Sequence, residues 1–184
     1  MNLKTLFQEI ALNDSQTALQ SVFRLYYAKL SVFILYYIKS HSTAEEIASD
    51  VFVTLWHERR QLVNVNNPKA FLYTIARNIA ISHIRREKKG GVAVDIFATK
   101  EIVDSGFNPE AHLISSELMR KLDEAVESLP EKCRIVFKMI REERLKYREV
   151  AEILNVSVKT IETHMRLAIR RLQEVFAEEL EHKT

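Results

Sequence analysis

The residues that interrupt helices and strands are concentrated in one short part of this 184-residue chain. All three glycines fall between residues 90 and 111, and so does Pro109. Because glycine and proline are the strongest interrupters of regular structure, we expect residues 90–111 to form a linker. The sequence therefore predicts two domains, residues 1–89 and residues 112–184, joined by a flexible segment.

On both sides of this linker, apolar residues recur three and four positions apart, which is the period of an amphipathic helix. The longest such stripe runs from Leu19 to Tyr37. Pro68 and Pro130 each open another apolar-periodic segment, where the fixed φ of proline suits the first helical turn. Residues 42–46 contain two overlapping capping boxes, which predict the start of a further helix. With no convincing strand alternation, the chain is predicted to be all-α, with two small helical domains.

Composition indicates where such a chain resides. The single cysteine, Cys133, can form no internal disulfide, which suits a reducing compartment. The most apolar stretch, residues 30–38, is much shorter than the about 20 residues that a membrane span needs. The N-terminus also meets charged residues before any apolar run of signal length. We therefore expect a cytoplasmic protein.

The polar residues do not form the pattern of an enzyme. None of the six histidines belongs to a metal-spaced pair such as His-x-x-x-His, and the chain has neither a Gly-rich phosphate loop nor a nucleophile elbow. Cys133 lies on the inward stripe of its helix, where a small buried hydrophobe is expected rather than a nucleophile. We predict no catalytic residue, no metal, no cofactor and no small-molecule substrate.

The C-terminal domain has the pattern of a helix-turn-helix. A short helix with an apolar stripe from Tyr147 to Leu154 is followed by Asn155, which tolerates the left-handed conformation that ends a helix. Ser157 is then a good N-cap for a longer helix. A short helix, a tight turn and a longer helix allow the last helix to enter the major groove of DNA.

The predicted outer face of that last helix is polar and basic. Its N-terminal residues can reach base edges, and its later arginines can meet phosphates. A row of arginines alone is as often a solvated helix face as a DNA-binding one. The turn, the cap and the basic face together favour DNA binding. The candidate DNA-binding residues are Ser157, Lys159, Thr160, Thr163, His164, Arg166, Arg170 and Arg171.

In the N-terminal domain, the helix that follows residue 43 carries an acidic outer face. Its outward residues Glu45, Glu46 and Asp50 lie beside Val53. Carboxylates near a helix N-terminus interact favourably with the helix dipole, so part of this pattern is capping and solubility. An exposed valine beside acids is also suited to binding another protein.

The next helix has the opposite sign. Residues 67–89 hold six lysines and arginines against one glutamate, a net charge of +5, which is the electrostatic footprint of a nucleic acid. The asparagines of the preceding polar loop, residues 59–67, are either turn residues or groups that hydrogen-bond an extruded base. The candidate nucleic-acid-binding residues here are Asn64, Asn66, Asn67, Lys69, Arg77, Asn78, Arg85 and Arg86.

In their order and spacing, these motifs resemble the extracytoplasmic-function (ECF) group of bacterial RNA polymerase sigma factors. The resemblance covers roughly residues 15–172. Thr43, Ser49 and Ser82 depart from residue types common in the group, and Asn155 stands where many members have glycine. The principal matching segments are Phe23-Arg24-Leu25-Tyr26-Tyr27, Ala44-Glu45-Glu46-Ile47, Asn67-Pro68-Lys69-Ala70-Phe71, Leu129-Pro130, Tyr147-Arg148-Glu149-Val150-Ala151 and Ser157-Val158-Lys159-Thr160-Ile161-Glu162.

The resemblance implies two partners, core RNA polymerase and promoter DNA, and also an anti-sigma factor. It implies that the acidic helix, through Glu45, Glu46, Asp50 and Val53, docks on the clamp helices of the polymerase's largest subunit. The following loop and basic helix would open the −10 promoter element and hold its non-template strand. The helix-turn-helix would read the −35 element as a duplex, while the polymerase supplies the catalysis.

A LuxR-type transcription regulator is the alternative, because Thr160-Ile161-Glu162-Thr163-His164 also resembles the recognition helix of that group. Such a protein binds promoters alone and usually carries a sensing or receiver domain. The N-terminal half shows no β/α alternation of the kind a receiver needs, and this alternative accounts poorly for residues 15–89. The sigma-factor prediction is therefore preferred.

Overall fold

The protein folds into helices joined by short turns, in a computed structural model that describes residues 2–87 and 117–181. No strand occurs in the described residues, and the predicted all-α fold class is confirmed. The helices divide almost entirely into two compact units, one formed by residues before the predicted linker and one by residues after it. The linker itself, predicted at residues 90–111, lies outside the described residues, so the domain boundaries at 89 and 112 stay predictions.

The described residues of the N-terminal unit form five helices. In chain order they are α1 (Leu3–Asn13), α2 (Gln16–Leu35), α3 (His41–His57), a 3-10 helix (Arg59–Asn64) and α4 (Pro68–Glu87). The first N–H groups of a helix have no partner within it and are satisfied by capping side chains. Ser15 Oγ accepts from Ala18 N at 3.2 Å before α2. Asn67 Oδ1 accepts from Ala70 N at 3.1 Å before α4, which confirms the predicted cap and the helical role of Pro68.

The start of α3 differs from the prediction. The helix begins at His41 and is capped by Ser40, whose Oγ accepts from Thr43 N at 3.3 Å. Ser42 and Thr43 therefore lie inside the first turn, and the capping boxes predicted for residues 42–46 are wrong.

The segment predicted as a polar loop contains the 3-10 helix, which packs against α1. Its Leu62 is buried with 1% exposure. At its start, the Arg59 guanidinium forms an ion pair with Asp14, the left-handed residue that ends α1. Arg59 also donates to the Trp56 carbonyl at 3.1 Å and stacks over the Trp56 ring at 4.7 Å. These contacts hold the end of α3 against the α1–α2 turn.

The core of the N-terminal unit is apolar and receives side chains from all of its helices. Phe33 of α2 meets Tyr73 of α4 edge to face, with 5.0 Å between ring centroids. Each fully buried Leu, Ile or Phe stabilises a fold by about 1.5–3 kcal/mol. The buried set includes Leu6, Phe7, Ile10, Val22, Leu30, Ile34, Ile47, Val51, Leu55, Leu62, Leu72 and Ala76.

After the predicted linker, the described residues form α5 (Glu117–Glu127), α6 (Glu131–Arg141), α7 (Tyr147–Leu154) and α8 (Val158–Glu181), which we call the C-terminal unit. Its core brings α5, α6 and α8 together through Ala125, Val126, Leu129, Cys133, Ala168 and Leu172. Arg134 is buried with 5% exposure and donates to the Glu127 carbonyl at 2.6 Å. Its Nε also lies 3.8 Å from the Glu127 carboxylate, so this charge is paired while it holds the α5–α6 turn.

Among the described helices, none combines the length and the apolarity that a membrane crossing needs. The described residues also bring together no group of three His, Cys, Asp or Glu side chains that could hold a metal ion.

Candidate DNA-binding and polymerase-binding surfaces

The turn between α7 and α8 has the predicted helix-turn-helix geometry. Asn155 takes the left-handed conformation, with φ 53°. The following N–H, that of Val156, donates back to the Ala151 carbonyl at 3.0 Å, which satisfies the end of α7. Ser157 Oγ accepts from Thr160 N at 3.1 Å and thereby caps α8. The predicted roles of Asn155 and Ser157 in this turn are confirmed.

The cationic residues predicted for the outer face of α8 are exposed. Lys159, Arg166, Arg170 and Arg171 all project into solvent. Arg170 forms an ion pair with Glu174 one turn later, with 2.9 Å between Nε and the carboxylate, and both side chains remain largely accessible. This surface is available to a polyanion.

The hydroxyl groups of the same helix are partly occupied by the helix itself. Thr160 Oγ1 lies 2.8 Å from Ser157 Oγ, and Thr163 Oγ1 donates to the Lys159 carbonyl at 2.9 Å. Both threonines are half-buried.

His164 differs from the exposed cationic residues of α8 and resembles Thr160 and Thr163 in its burial. It is half-buried, and its Nδ1 lies 3.6 Å from the thiol of Cys133 on α6. Burial, helped by the nearby charge of Lys132, lowers the pKa of His164. Burial also raises the pKa of Cys133, against a smaller opposing effect of Arg171. The expectation that His164 shares the exposed face is wrong, because the position three residues after the buried Ile161 turns toward the core.

The predicted polymerase-binding residues share one exposed face of α3. Glu45, Glu46, Asp50 and Val53 are all exposed, and Val53 retains 53% of its accessible surface. We call these four residues the acidic surface. Their spacing places them on the side opposite the buried stripe of the same helix.

An aromatic groove that sequence reasoning missed lies between α2 and α3. Phe23, which belongs to the apolar stripe predicted from Leu19 to Tyr37, is 38% exposed and stacks on Tyr27, with 4.7 Å between ring centroids. With Phe52 and Trp56 it lines an open groove of about 580 Å³. Trp56 follows Val53 by three residues, so the groove adjoins the acidic surface. Nothing in the sequence pattern indicates that an aromatic residue on an apolar stripe will remain exposed.

The residues predicted to bind the −10 element divide into an exposed and a buried group. Asn64, Asn66, Asn78, Arg85 and Arg86 are exposed, whereas Asn67 and Lys69 are half-buried. Arg77 is buried with 8% exposure. The inward position of Arg77 follows the helical period, because it lies four residues after Tyr73 and three before Ala80, both of which are buried. Asn64 and Asn66 thus lie before α4, Asn78 lies near its middle, and Arg85 and Arg86 lie in its last turn.

Comparisons with known proteins match both units. The sigma-70 region 2 family model matches residues 22–90, and the sigma-70 region 4 model matches residues 119–172. The ECF RNA polymerase sigma factor SigW of Bacillus subtilis is 28% identical over 90% of this chain and 91% of its own length. The ferric citrate uptake sigma factor FecI of Escherichia coli is 23% identical over 86% and 91%, respectively.

The fold is also similar to that of a solved sigma factor. RpoE of Bartonella quintana, crystallised with the anti-sigma factor NepR, superposes with a TM-score of 0.60 at 23% sequence identity, over 86% of this chain and 96% of RpoE. Both matched family models describe sigma-70 regions, which favours the sigma-factor prediction over the LuxR-type alternative. Together with the order of the two regions along the chain, these matches show that the protein belongs to the ECF group of bacterial RNA polymerase sigma factors.

Proposed function

We propose that this sigma factor divides promoter recognition between its two units while core RNA polymerase performs the chemistry. As a sigma factor, the protein binds core polymerase and directs transcription initiation. In the proposal, residues 1–89 hold the polymerase and the −10 element, and residues 112–184 hold the −35 element. The protein acts in the cytoplasm, without enzymatic activity or a cofactor of its own.

The observation that carries the proposal is the helix-turn-helix of α7 and α8. The left-handed Asn155 and the Ser157 cap fix the direction in which α8 leaves the turn. A helix presented in this way can enter the major groove, where its first turns meet base edges. The exposed arginines of its later turns supply the charge that phosphates attract.

The −10 element is assigned to the 3-10 helix and α4. Exposed asparagine side chains at residues 64, 66 and 78 carry both donors and acceptors, which suits the Watson–Crick edge of an unpaired base. Arg85 and Arg86 lie two turns beyond Asn78 and suit the DNA backbone. Because Arg77 is buried, we assign it to the fold of α4 rather than to DNA.

The acidic surface of α3 is assigned to core polymerase. Its three carboxylates are exposed, and Val53 adds an apolar contact at its edge. Exposed charge complementarity steers and orients protein association. An anti-sigma factor is proposed as a second protein partner, in keeping with the fold shared with RpoE, whose crystal structure contains one.

Run-off transcription tests the function as a whole. Core polymerase with this protein should initiate at specific members of a genomic promoter library, and core polymerase alone should not. Equal transcription in both reactions would reject the sigma-factor activity.

A comparison of two kinds of α8 variant tests the orientation of this helix on DNA. Lys159→Ala should change which −35 sequences are accepted, because a base contact is worth about 1–3 kcal/mol of discrimination. Changing Arg170 and Arg171 to alanine should weaken all sequences alike and reduce the salt dependence, by about one unit of slope per lost phosphate contact. The measurement is holoenzyme selection from a randomised −35 library at several salt concentrations. The docking orientation is wrong if both variants shift sequence preference equally, or if neither responds to salt.

A further inference from the structure

A carboxylate lies among the residues of α8 that are placed to meet base edges. Lys159, Glu162, Thr163 and Arg166 occupy positions i, i+3, i+4 and i+7, and therefore share one side of the helix. We call these four residues the reading face. Glu162 is exposed within it, and no hydrogen bond or ion pair to another described residue engages its carboxylate.

The electrostatics of DNA restrict what this carboxylate can meet. A carboxylate that faces phosphates is repelled, so a negative residue on a DNA-binding helix weakens contact with the backbone at every sequence. The favourable contact in the major groove is an exocyclic amino group, and the N4 amine of cytosine is the one that a Glu side chain accepts from. Thr163 contributes less on the same face, because its hydroxyl already donates to the Lys159 carbonyl.

We propose that Glu162 determines specificity at one position of the −35 element by accepting a hydrogen bond from the N4 amino group of a cytosine. Lys159 and Arg166, each one turn away on the same face, read or flank the neighbouring positions. The inference rests on the proposed function, because it requires α8 to lie in the major groove of the −35 duplex.

Glu162→Gln is the informative variant. It keeps the size of the side chain and removes its charge, and a glutamine pairs with adenine through N6 and N7. Holoenzyme with wild-type protein should therefore enrich cytosine at one position of a randomised −35 library. The variant should lose that preference by about 5- to 150-fold and favour adenine at the same position.

Glu152→Gln is the matched control, because it removes the same charge from an exposed position of α7, outside the reading face. It should leave the selected sequences unchanged. If Glu162→Gln behaves like Glu152→Gln, Glu162 is only surface charge and the proposal is overturned. If Glu162→Gln instead changes a guanine preference that Lys159→Ala also changes, Glu162 orients Lys159, and direct reading of cytosine is again overturned.

The Lys159→Ala arm separates this proposal from the function on which it rests. An altered −35 preference for Lys159→Ala, with none for Glu162→Gln, rejects only the role of Glu162. A wild-type holoenzyme that initiates but selects no −35 sequence rejects the proposed docking of α8 together with it.

Discussion

The side chain of His164 shows what a helical pattern can and cannot say about a single residue. The period of α8 predicts the buried positions Ile161, Met165, Ala168 and Leu172 correctly. His164 lies at the edge of that stripe, where the period alone does not decide between an exposed and a half-buried position. Its imidazole contacts Cys133 on α6, which is distant in sequence, so the pattern of α8 alone could not place it.

The burial of His164 should make the stability of the protein depend on pH. Because its pKa is lower in the folded state than its ordinary value of 6.5, the unfolded chain binds the proton more readily, and stability falls as the pH drops below that value. Thermal unfolding of the full chain at about pH 7 and about pH 5 should therefore show a larger loss of Tm for wild type than for His164→Gln. His57→Gln controls for the removal of an exposed histidine. An equal loss of Tm in wild type and His164→Gln would contradict this account.

At the scale of a helix, the type of secondary structure is easier to predict than the residues at which it begins and ends. All the apolar-periodic segments of the described residues are helices, and Asn67 and Ser157 cap theirs as predicted. The start of α3 was misplaced because Ser40 and Ser42 both satisfy the local preference for a cap. Ile38, which is buried just before them, determines where the chain leaves the core, and that depends on tertiary packing.

Substitutions at the two serines should distinguish the observed cap from the predicted one. Ser40→Ala should lower the free energy of unfolding by about 1 kcal/mol, because it leaves the Thr43 N–H without its acceptor. Ser42→Ala, an exposed position within the first turn, should change it by less than about 0.5 kcal/mol. Urea denaturation measures both, and the reverse order would move the helix start back to Ser42.

Reversing two charges on α3 tests whether the acidic surface binds core polymerase. Glu46→Lys combined with Asp50→Lys should weaken binding to core polymerase, because like charges brought together at an interface cost several kcal/mol. Both side chains are exposed, so the circular dichroism spectrum should not change. Glu58→Lys, at an exposed position just past the end of the helix, is the control for one such reversal of charge outside the acidic surface. Unchanged polymerase affinity in the double variant would mean that the two carboxylates do not contribute to polymerase binding.

At the scale of the whole molecule, DNA contacts are assigned to two small units, and this should limit what the protein does alone. In the proposed function, each unit alone would contact only a short stretch of promoter. Fixing two binding modules at the right separation raises the effective concentration of the second.

Free protein should consequently bind duplex promoter weakly, whereas the holoenzyme should bind specifically. Footprinting of one promoter with protein, core polymerase and both together measures the difference. Tight, sequence-specific protection by the protein alone would revive the LuxR-type alternative.

The 3-10 helix of residues 59–64 has a consequence for the thermodynamics of strand capture. A disordered loop would lose conformational entropy on gripping DNA, and that loss would be subtracted from the affinity. Here Leu62 is anchored in the core and Arg59 is held by Asp14 and Trp56. Asn64, which the proposed function assigns to the −10 element, therefore projects from a segment that is already packed on the core without DNA. The loss of conformational entropy on promoter opening would then fall mostly on the unpaired DNA strand and only to a small extent on this segment of the protein.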